Sequence, residues 1–267
     1  NKGLQGVAMD AVITAGGIPT EKDPLYPYTQ GKPKAMVDIA GKPMIQWILD
    51  AVSNSKNVEH VVLIGLDKSS GVTCSKPVEY IDNQGHMLSN IIAGIHKVQE
   101  MNPKAEYVLG ISSDIPGITS EMVDWCVQTS METQDELYYG IIPQAVMEKR
   151  YPGSKRSFTK LKGETFCGAD IHVIHVKLAD EHIDTWKKLI DNRKNVFKQA
   201  SVFGYWTLFL LATRMIDADG AVKRVSEKIK IKGRAIRWPY AEAGMDVDKP
   251  HQLEMMRTEM EKLHPVK

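Results

Sequence analysis

The sequence predicts an α/β protein, a three-layer sandwich with a mostly parallel central sheet to which a β-hairpin and a helical insertion are added. The first observation is that short β-branched apolar runs alternate with amphipathic helical patterns as far as Pro143. Strands that alternate with helices typically form parallel sheets with both faces covered. The second observation is a change of pattern after Pro143, where Lys162 and Gly163 join two short runs. These runs predict a hairpin, and helical patterns follow it to about Ser226.

Four strands and three helices are predicted in the first half of the chain. The strands are apolar runs rich in Val, Ile and Tyr, at residues 10–14, 58–65, 107–112 and 137–142. The helices have apolar faces at residues 44–52, 88–98 and 120–131. Pro43 suits the first position of the first helix, and Thr119 or Ser120 suits the cap of the third.

The second half of the chain predicts the hairpin at residues 156–166, strands at 169–176 and 235–239, and a last helix at 250–263. We interpret residues 9–267 as a single domain, with the hairpin and helical insertion at about 150–234. Residues 1–8 are expected to be foreign to the native chain, because the sequence from Met9 resembles a natural start.

Composition excludes several classes of protein. The chain has 267 residues and a formal net charge of +1, which argues against binding of nucleic acid through bulk electrostatics. Its three cysteines are far apart and form no Cys-x-x-Cys, which disfavours a disulfide framework or a zinc site. Together with the lack of a signal-peptide pattern, this predicts a cytoplasmic protein.

One uncharged apolar stretch covers residues 199–213. It is shorter than the roughly 20 residues that a membrane-spanning helix needs, so no transmembrane segment is predicted. We favour a buried core helix or the face of a homodimer over a helix lying on a membrane surface.

Ligands of parallel sheets bind at the carboxyl ends of the strands, which directs attention to residues 15–17, 65–67 and 112–116. Gly16 and Gly17 let the backbone approach a ligand closely and suit phosphates, although two glycines also suit a plain tight turn. The dinucleotide-binding and P-loop glycine motifs are absent. A dehydrogenase or a P-loop ATPase is therefore disfavoured.

Charged residues in the loops add candidates for phosphate and metal binding. Lys32 and Lys34 can neutralise phosphate oxygens or belong to a solvated basic loop. Asp114 follows a predicted central strand and suits Mg²⁺, or a turn cap. Asp246 and Asp248 precede the last helix and suit a metal, although Asp248 is also placed to cap that helix.

The glycine turn, the lysine loop and the loop aspartates occur in the order in which the MobA-like nucleotidyltransferases have them, and the chain resembles that family. The family has a Rossmann-like, GT-A-type fold and includes sugar-phosphate nucleotidylyltransferases and cytidylyltransferases. The resembling segments are AVITAGG (11–17), GKPKAMVDIAGKPMIQWILDAV (31–52), NQGHMLSNIIAGI (83–95), SSDIPGIT (112–119), FCGADIHVI (166–174) and GMDVDKPHQLE (244–254). They extend over nearly the whole chain, and the first two are the most specific.

The resemblance implies a role for each matching position. Residues expected to bind the nucleotide are Ala15, Gly16, Gly17, Lys34, Asn83, Gln84, Gly85 and Ser89. Residues expected to carry catalysis are Lys34, at the α-phosphate, and Asp114 and Asp246, which would bind Mg²⁺ with Asp248 as a further candidate ligand. Gly168 and Asp170 fall where the family binds its acceptor, and Arg156 and Lys160 on the hairpin are candidates for the acceptor phosphate or are solvated charges.

The chain departs from the family pattern at three places. Residues 18–29 carry no arginine, although the family usually has one soon after the glycines. Asp170 replaces the usual Asn, and the insertion at 177–234 disfavours the guanylyltransferase subgroup.

The expected activity is transfer of an NMP from an NTP to a phosphorylated small molecule, such as a sugar or polyol phosphate, with release of pyrophosphate. Two alternatives stay open. A glycosyltransferase of the same fold would use Asp246-Val247-Asp248 as an Asp-x-Asp motif, and a non-catalytic nucleotide-binding module would explain the missing arginine.

Overall fold

The computed structural model describes residues 7–181, 183–191 and 204–265, and the predicted α/β fold is confirmed there. The strands are β1 Met9–Thr14, β2 Asp38–Ile39, β3 Lys42–Pro43, β4 Val58–Ile64, β5 Val78–Ile81, β6 Tyr107–Ser112, β7 Leu137–Pro143, β8 Thr159–Leu161, β9 Glu164–Gly168, β10 Ile171–His175 and β11 Gly233–Arg237. The helices are α1 Tyr26–Thr29, α2 Met44–Asn54, α3 Met87–Met101, α4 Ser120–Met131, α5 Gln144–Arg150, α6 Ile183–Asp191, α7 Tyr205–Ala212, α8 Ala218–Ile229 and α9 Pro250–Leu263. Short 3₁₀ turns occur at Lys34–Met36, Lys68–Ser70, Val176–Ala179 and Ala241–Gly244.

Nine of these strands form one open sheet in the order β5-β4-β1-β6-β10-β7-β9-β8, with β11 paired to β7. The first four strands of that order are mutually parallel, and β11 is parallel to β7. β10 lies antiparallel between β6 and β7. Thr14 at the end of β1 pairs with both Ile64 and Ser112, so the carboxyl ends of β1, β4 and β6 are level with one another. The loops that follow these strands therefore meet at one edge.

Alternation along β1 explains the three layers, because successive side chains point to opposite faces of a sheet. Ala11 and Ile13 belong to a core that also contains residues of α2, α4 and α9. Val12 belongs to a second core on the other face, formed with Ile95 and Val98 of α3. The sheet is thus the middle layer between helices, as the sequence predicts.

The structure adds elements that the sequence did not predict. These are α1, β5, the small hairpin of β2 and β3, and α5. Pro43 lies just before α2 rather than within it, and the first hairpin strand begins at Thr159 rather than at residue 156. The predicted hairpin itself is confirmed, because β8 and β9 pair in antiparallel register.

The apolar stretch at 199–213 is only partly described, since residues 199–203 lie outside the described residues. Its described part forms α7, in which Leu210 is buried but Trp206 is 62% exposed and Phe209 is 49% exposed. A fully buried core helix is therefore the wrong interpretation of this part, and the homodimer stays a prediction. Within the described residues, no helix has both the length and the apolar character needed to cross a membrane.

Candidate nucleotide and metal site

Three charged residues that are distant in sequence meet at the carboxyl edge of the sheet. The ammonium of Lys34 lies 2.5 Å from Oδ2 of Asp114 and 2.7 Å from Oδ1 of Asp248. Lys34 begins the 3₁₀ turn after the glycine loop, and its backbone N–H donates to the carbonyl of Gly17 at 2.8 Å. The lysine, the glycine turn and the two aspartates therefore line one site.

Asp114, Asp246 and Asp248 form a compact acidic cluster whose ligand oxygens all lie within 4.8 Å of one another. The Ser112 hydroxyl donates to Oδ1 of Asp114 at 2.5 Å, and the Val247 N–H donates to the Asp114 carbonyl at 2.9 Å. These bonds fix the orientation of Asp114 and attach the loop before α9 to it. Three carboxylates fit a hard divalent cation such as Mg²⁺, which prefers oxygen ligands. No helix-capping role competes at Asp248, because the cap residue of α9 is Lys249.

The pKa of the Lys34 ammonium reflects two opposing effects. Burial disfavours its charge, but the nearby carboxylates of Asp114 and Asp248 outweigh burial and raise the pKa. Lys34 therefore carries a full positive charge at neutral pH. The ammonium lies within hydrogen-bond distance of two of the three carboxylates and offsets part of their negative charge.

Arg156 reaches the same cluster from the segment before β8. Its guanidinium forms an ion pair with the carboxylate of Asp246. The Nε of Arg156 is enclosed and has no hydrogen-bond partner among the described residues. The Arg156 side chain is 16% exposed, so part of this planar cation stays open to an incoming phosphate or carboxylate.

Asp170 lies at the corner between β9 and β10, close to the cluster. Its N–H donates to the Ala243 carbonyl at 2.8 Å, and its carbonyl accepts from the Ser112 N–H at 3.0 Å. Burial, followed by the charge of Asp114, raises the pKa of the Asp170 carboxyl to about 7. Its Oδ2 is enclosed and without a hydrogen-bond partner in the described part of the chain.

Substitution of Asp170 by Asn should stabilise the metal-free protein in a pH-dependent way. The folded-state pKa of about 7 exceeds the unfolded value of about 3.9, so wild-type stability falls as pH rises between these values. We expect Asp170→Asn to raise Tm by roughly 5–10 °C at pH 8 and by almost nothing at pH 4, because Asn carries no charge. Thermal melts in EDTA at both pH values measure this. An equal shift at the two pH values would contradict it.

The glycine turn after β1 is held by close backbone packing. Gly65, which follows β4, has φ +92°, and a Cβ there would lie 2.2 Å from the Cα of Gly16. Only glycine fits at such an approach. The Asn83 amide donates to the Gly16 carbonyl at 2.8 Å, and Asn83 Oδ1 accepts from the Gly85 N–H at 3.0 Å. Asn83 thereby connects the predicted nucleobase segment to the predicted phosphate turn.

A cavity of about 320 Å³ opens beside this turn, at the carboxyl ends of β4 and β5. Its lining consists of Pro33, Met36, Gly65, Leu66, Asp67, Ser69, Ser70, Asp82 and Asn83. The mixture of apolar and polar groups suits a planar heterocyclic base with hydrogen-bonding edges. The cavity borders the glycine turn through Gly65 and Asn83, and the acidic cluster borders it through Lys34.

The remaining predicted site residues are Gln84, Ser89, Gly168 and Lys160, and their surroundings differ. Gln84 is exposed, with its N–H donating to Asn90 Oδ1 at 2.7 Å, and Ser89 is partly buried in α3. Gly168 ends β9, where its carbonyl would lie 2.6 Å from a Cβ placed on Gly244. Lys160 is exposed on β8 and, in the described part of the chain, does not pair with any of the three aspartates. Its role stays a prediction.

Residues 11–148 match the model of the MobA-like NTP transferase domain, which is more than half of the chain. The chain belongs to this family. The family and the nucleotidyltransferase class of enzyme that the sequence predicted are thereby confirmed, and the acidic cluster agrees with use of a divalent metal.

Known relatives of this MobA-like domain include GlmU and several solved transferases. A 102-residue segment is 32% identical to the bifunctional protein GlmU of Methanococcus maripaludis C5, covering 38% of this chain and 18% of that protein. A second strain, C7, gives 33% over the same length and coverage. The chain therefore spans less than a fifth of the length of these curated relatives.

Solved structures show the same fold over almost the whole chain. A hypothetical transferase from Thermus thermophilus has a TM-score of 0.78 and 24% identity, covering 92% of this chain and 99% of that one. CMP:2-keto-3-deoxy-manno-octonic acid synthetase complexed with CTP has a TM-score of 0.60 and 14% identity, with coverages of 96% and 100%. 4-Diphosphocytidyl-2C-methyl-D-erythritol synthase from Anaerococcus prevotii has a TM-score of 0.55 and 11% identity, with coverages of 95% and 96%. The insertion after residue 177 does not prevent this full-length match.

Sequence reasoning missed three residues of the MobA-like site. Ser112 orients Asp114, Gly65 admits the glycine turn, and Asn90 accepts from Gln84 while its amide donates to Asn83 at 3.1 Å. Gly65 was signalled by its place at the end of a predicted strand. Ser112 and Asn90 lie in segments that the sequence had singled out, and their partners are only two to seven positions away. Their hydrogen bonds were not predicted, because they depend on the local conformation of these loops.

Proposed function

We propose that this MobA-like domain transfers an NMP from an NTP to a phosphorylated small-molecule acceptor and releases pyrophosphate. The observation that carries the proposal is the convergence of Lys34 with three carboxylates beside a glycine turn. A partly buried cation next to a carboxylate cluster is the set of charges that a metal-bound triphosphate requires.

Each charged group has a distinct task in this reaction. Asp114, Asp246 and Asp248 would hold Mg²⁺, which when bound draws charge from the phosphate oxygens. Lys34 stabilises the negative charge that accumulates on the α-phosphate during in-line attack. The attacking phosphate of the acceptor is already a nucleophile, so no residue is needed as a general base. Catalysis then consists of positioning and charge neutralisation.

On the nucleotide side, Ala15, Gly16 and Gly17 surround the phosphates, and the cavity next to Asn83 takes the base. Gln84, Gly85 and Ser89 lie in the segment that follows Asn83 and would complete this side. The missing arginine leaves Lys34 and the glycine-loop N–H groups as the main anion-binding groups.

On the acceptor side, Arg156 would bind the acceptor phosphate, because its ion pair with Asp246 places it next to the metal ligands. Gly168 and Asp170 would contact the rest of the acceptor, and Lys160 would add a more distant positive charge.

We also propose a cytoplasmic enzyme that forms a homodimer through the segment at 199–213. The exposed aromatic pair in α7 supports the dimer, since Trp206 and Phe209 stack with ring centroids 5.3 Å apart. Sedimentation of wild type and of Trp206→Glu would test it, with a shift of the variant to monomer expected.

The activity is tested in two steps. A thermal-shift screen of CTP, UTP, GTP and ATP with and without Mg²⁺ identifies the nucleotide, and two relatives named for cytidylyl products make CTP the first choice. Pyrophosphate release is then measured with sugar and polyol phosphates. We expect one NTP to raise Tm by several degrees only with Mg²⁺, and one acceptor class to trigger release.

The alternatives give different results in the same assays. A glycosyltransferase would consume a nucleotide sugar without releasing pyrophosphate, and a binding module would shift Tm without turnover. Either result would replace the proposed reaction.

A further inference from the structure

A second cavity, of about 150 Å³, lies on the α3 face of the sheet and is distinct from the one beside the glycine turn. Its walls come from α3 and from the adjacent strands β1, β6 and β10, and include Val12, Thr14, Gly110, Ser112, Asp170 and Ile174. Met87 is 45% exposed, so the cavity opens to solvent beside the start of α3.

The strand register explains why this space is empty. Gly110 of β6 pairs with Val12 of β1 on one side and with His172 of β10 on the other. It is the member of this row without a side chain. A Cβ placed on Gly110 would lie 3.5 Å from Cδ1 of Ile174 and 3.7 Å from the His172 carbonyl, which is ordinary contact. Alanine would therefore fit, and nothing in the backbone requires glycine here.

The cavity has a polar end that faces the acidic cluster. Thr14 pairs with Ser112 in the next row, and the Ser112 hydroxyl donates to Asp114. Asp170 lines the same end, and its enclosed Oδ2 has no hydrogen-bond partner among the described residues. A buried carboxylate oxygen without a partner is costly unless a ligand supplies a donor.

We propose that this cavity receives a carbon segment of the phosphorylated acceptor, with a hydroxyl that donates to Oδ2 of Asp170. The inference rests on the proposed transfer reaction. The polar end of the cavity lies next to Asp114, a proposed metal ligand, so an acceptor bound there would have its phosphate at the reaction centre. A cavity of about 150 Å³ is the size that accommodates benzene in an engineered protein, so the segment has up to about six heavy atoms. The acceptor is thus a phosphate ester with an apolar chain or ring and a remote hydroxyl.

Binding without turnover tests this inference. The full chain with Mg²⁺ is titrated by calorimetry with methyl phosphate, butyl phosphate and 4-hydroxybutyl phosphate. Burial of three additional carbons should make butyl phosphate bind up to about fiftyfold more tightly than methyl phosphate. The terminal hydroxyl should tighten binding by a further fewfold through Asp170.

Substitutions at Gly110 test whether the gain in affinity with chain length arises in this cavity. Gly110→Ala should reduce the gain with chain length, and Gly110→Val should abolish it while leaving the affinity for methyl phosphate unchanged. Ile81→Val is the matched control, because Ile81 packs in the same apolar cluster without lining the cavity. Its titrations should equal those of wild type.

The outcomes separate this inference from the transfer reaction. If Gly110→Val has a Tm at or above wild type and the chain-length gain persists, the cavity is a packing void and the inference is overturned. The same conclusion follows if no probe binds or if all bind equally. Pyrophosphate release with some other acceptor phosphate would still support the transfer reaction, whereas its absence with every acceptor would refute that reaction whatever the cavity binds.

Discussion

Replacement of Asp114 by Asn should lower the rate of pyrophosphate release by about a hundredfold or more. Asparagine keeps the size of the side chain and leaves an oxygen to accept from Ser112, so the fold should not change. It removes one of three negative charges from the acidic cluster and one of two carboxylate partners of Lys34. Loss of one preorganised charged group at a reacting phosphate typically costs this much in rate.

Steady-state rates at saturating NTP and acceptor measure the Asp114→Asn effect, and titration with Mn²⁺ should show metal affinity reduced about tenfold. Asp180→Asn is the matched control, since Asp180 is an exposed carboxylate that pairs with His96 away from the cluster. We expect it to have wild-type rates. Full activity of Asp114→Asn, with an unchanged metal requirement, would remove Asp114 from the proposed mechanism.

The sheet was predictable because local patterns determine it. The strand at 107–112 and the helix at 250–263 have the same bounds in sequence and structure, since each is an uninterrupted pattern between clear turn residues. β5 was missed because Val78–Ile81 is a short edge strand in which no residue is fully buried. It lacks the apolar run that reveals a central strand.

The candidate site was predictable to a different extent. Lys34 is 80 positions from Asp114 and 214 positions from Asp248. Their proximity was predictable because ligands of parallel sheets bind at the carboxyl ends of the strands, and because the family resemblance assigned these residues to one site. The contact between Arg156 and Asp246 did not follow, because it depends on how the hairpin folds back over the sheet. The cavity at Gly110 was likewise not predictable from the sequence, because it depends on the register of β1, β6 and β10.

Replacement of Lys34 by Met should change activity and metal affinity in opposite directions. Methionine keeps the length of the side chain but removes the ammonium that lies within 2.7 Å of both Asp114 and Asp248. Turnover should fall by about a hundredfold, because the α-phosphate loses its cationic partner. Affinity for Mn²⁺ should rise by about tenfold, because a competing positive charge has left the three carboxylates.

The same Lys34→Met variant should have a lower Tm than wild type in EDTA and recover most of the difference with Mg²⁺. In EDTA the clustered carboxylates of this variant repel one another, because no positive charge offsets them. A bound Mg²⁺ supplies that positive charge and restores stability. Lys56→Met is the control, since Lys56 is exposed and lies two residues before β4, at the opposite end of that strand from the site. If Lys34→Met instead weakened Mn²⁺ binding, the lysine would serve to orient the carboxylates, and its proposed contact with the α-phosphate would lose its main support.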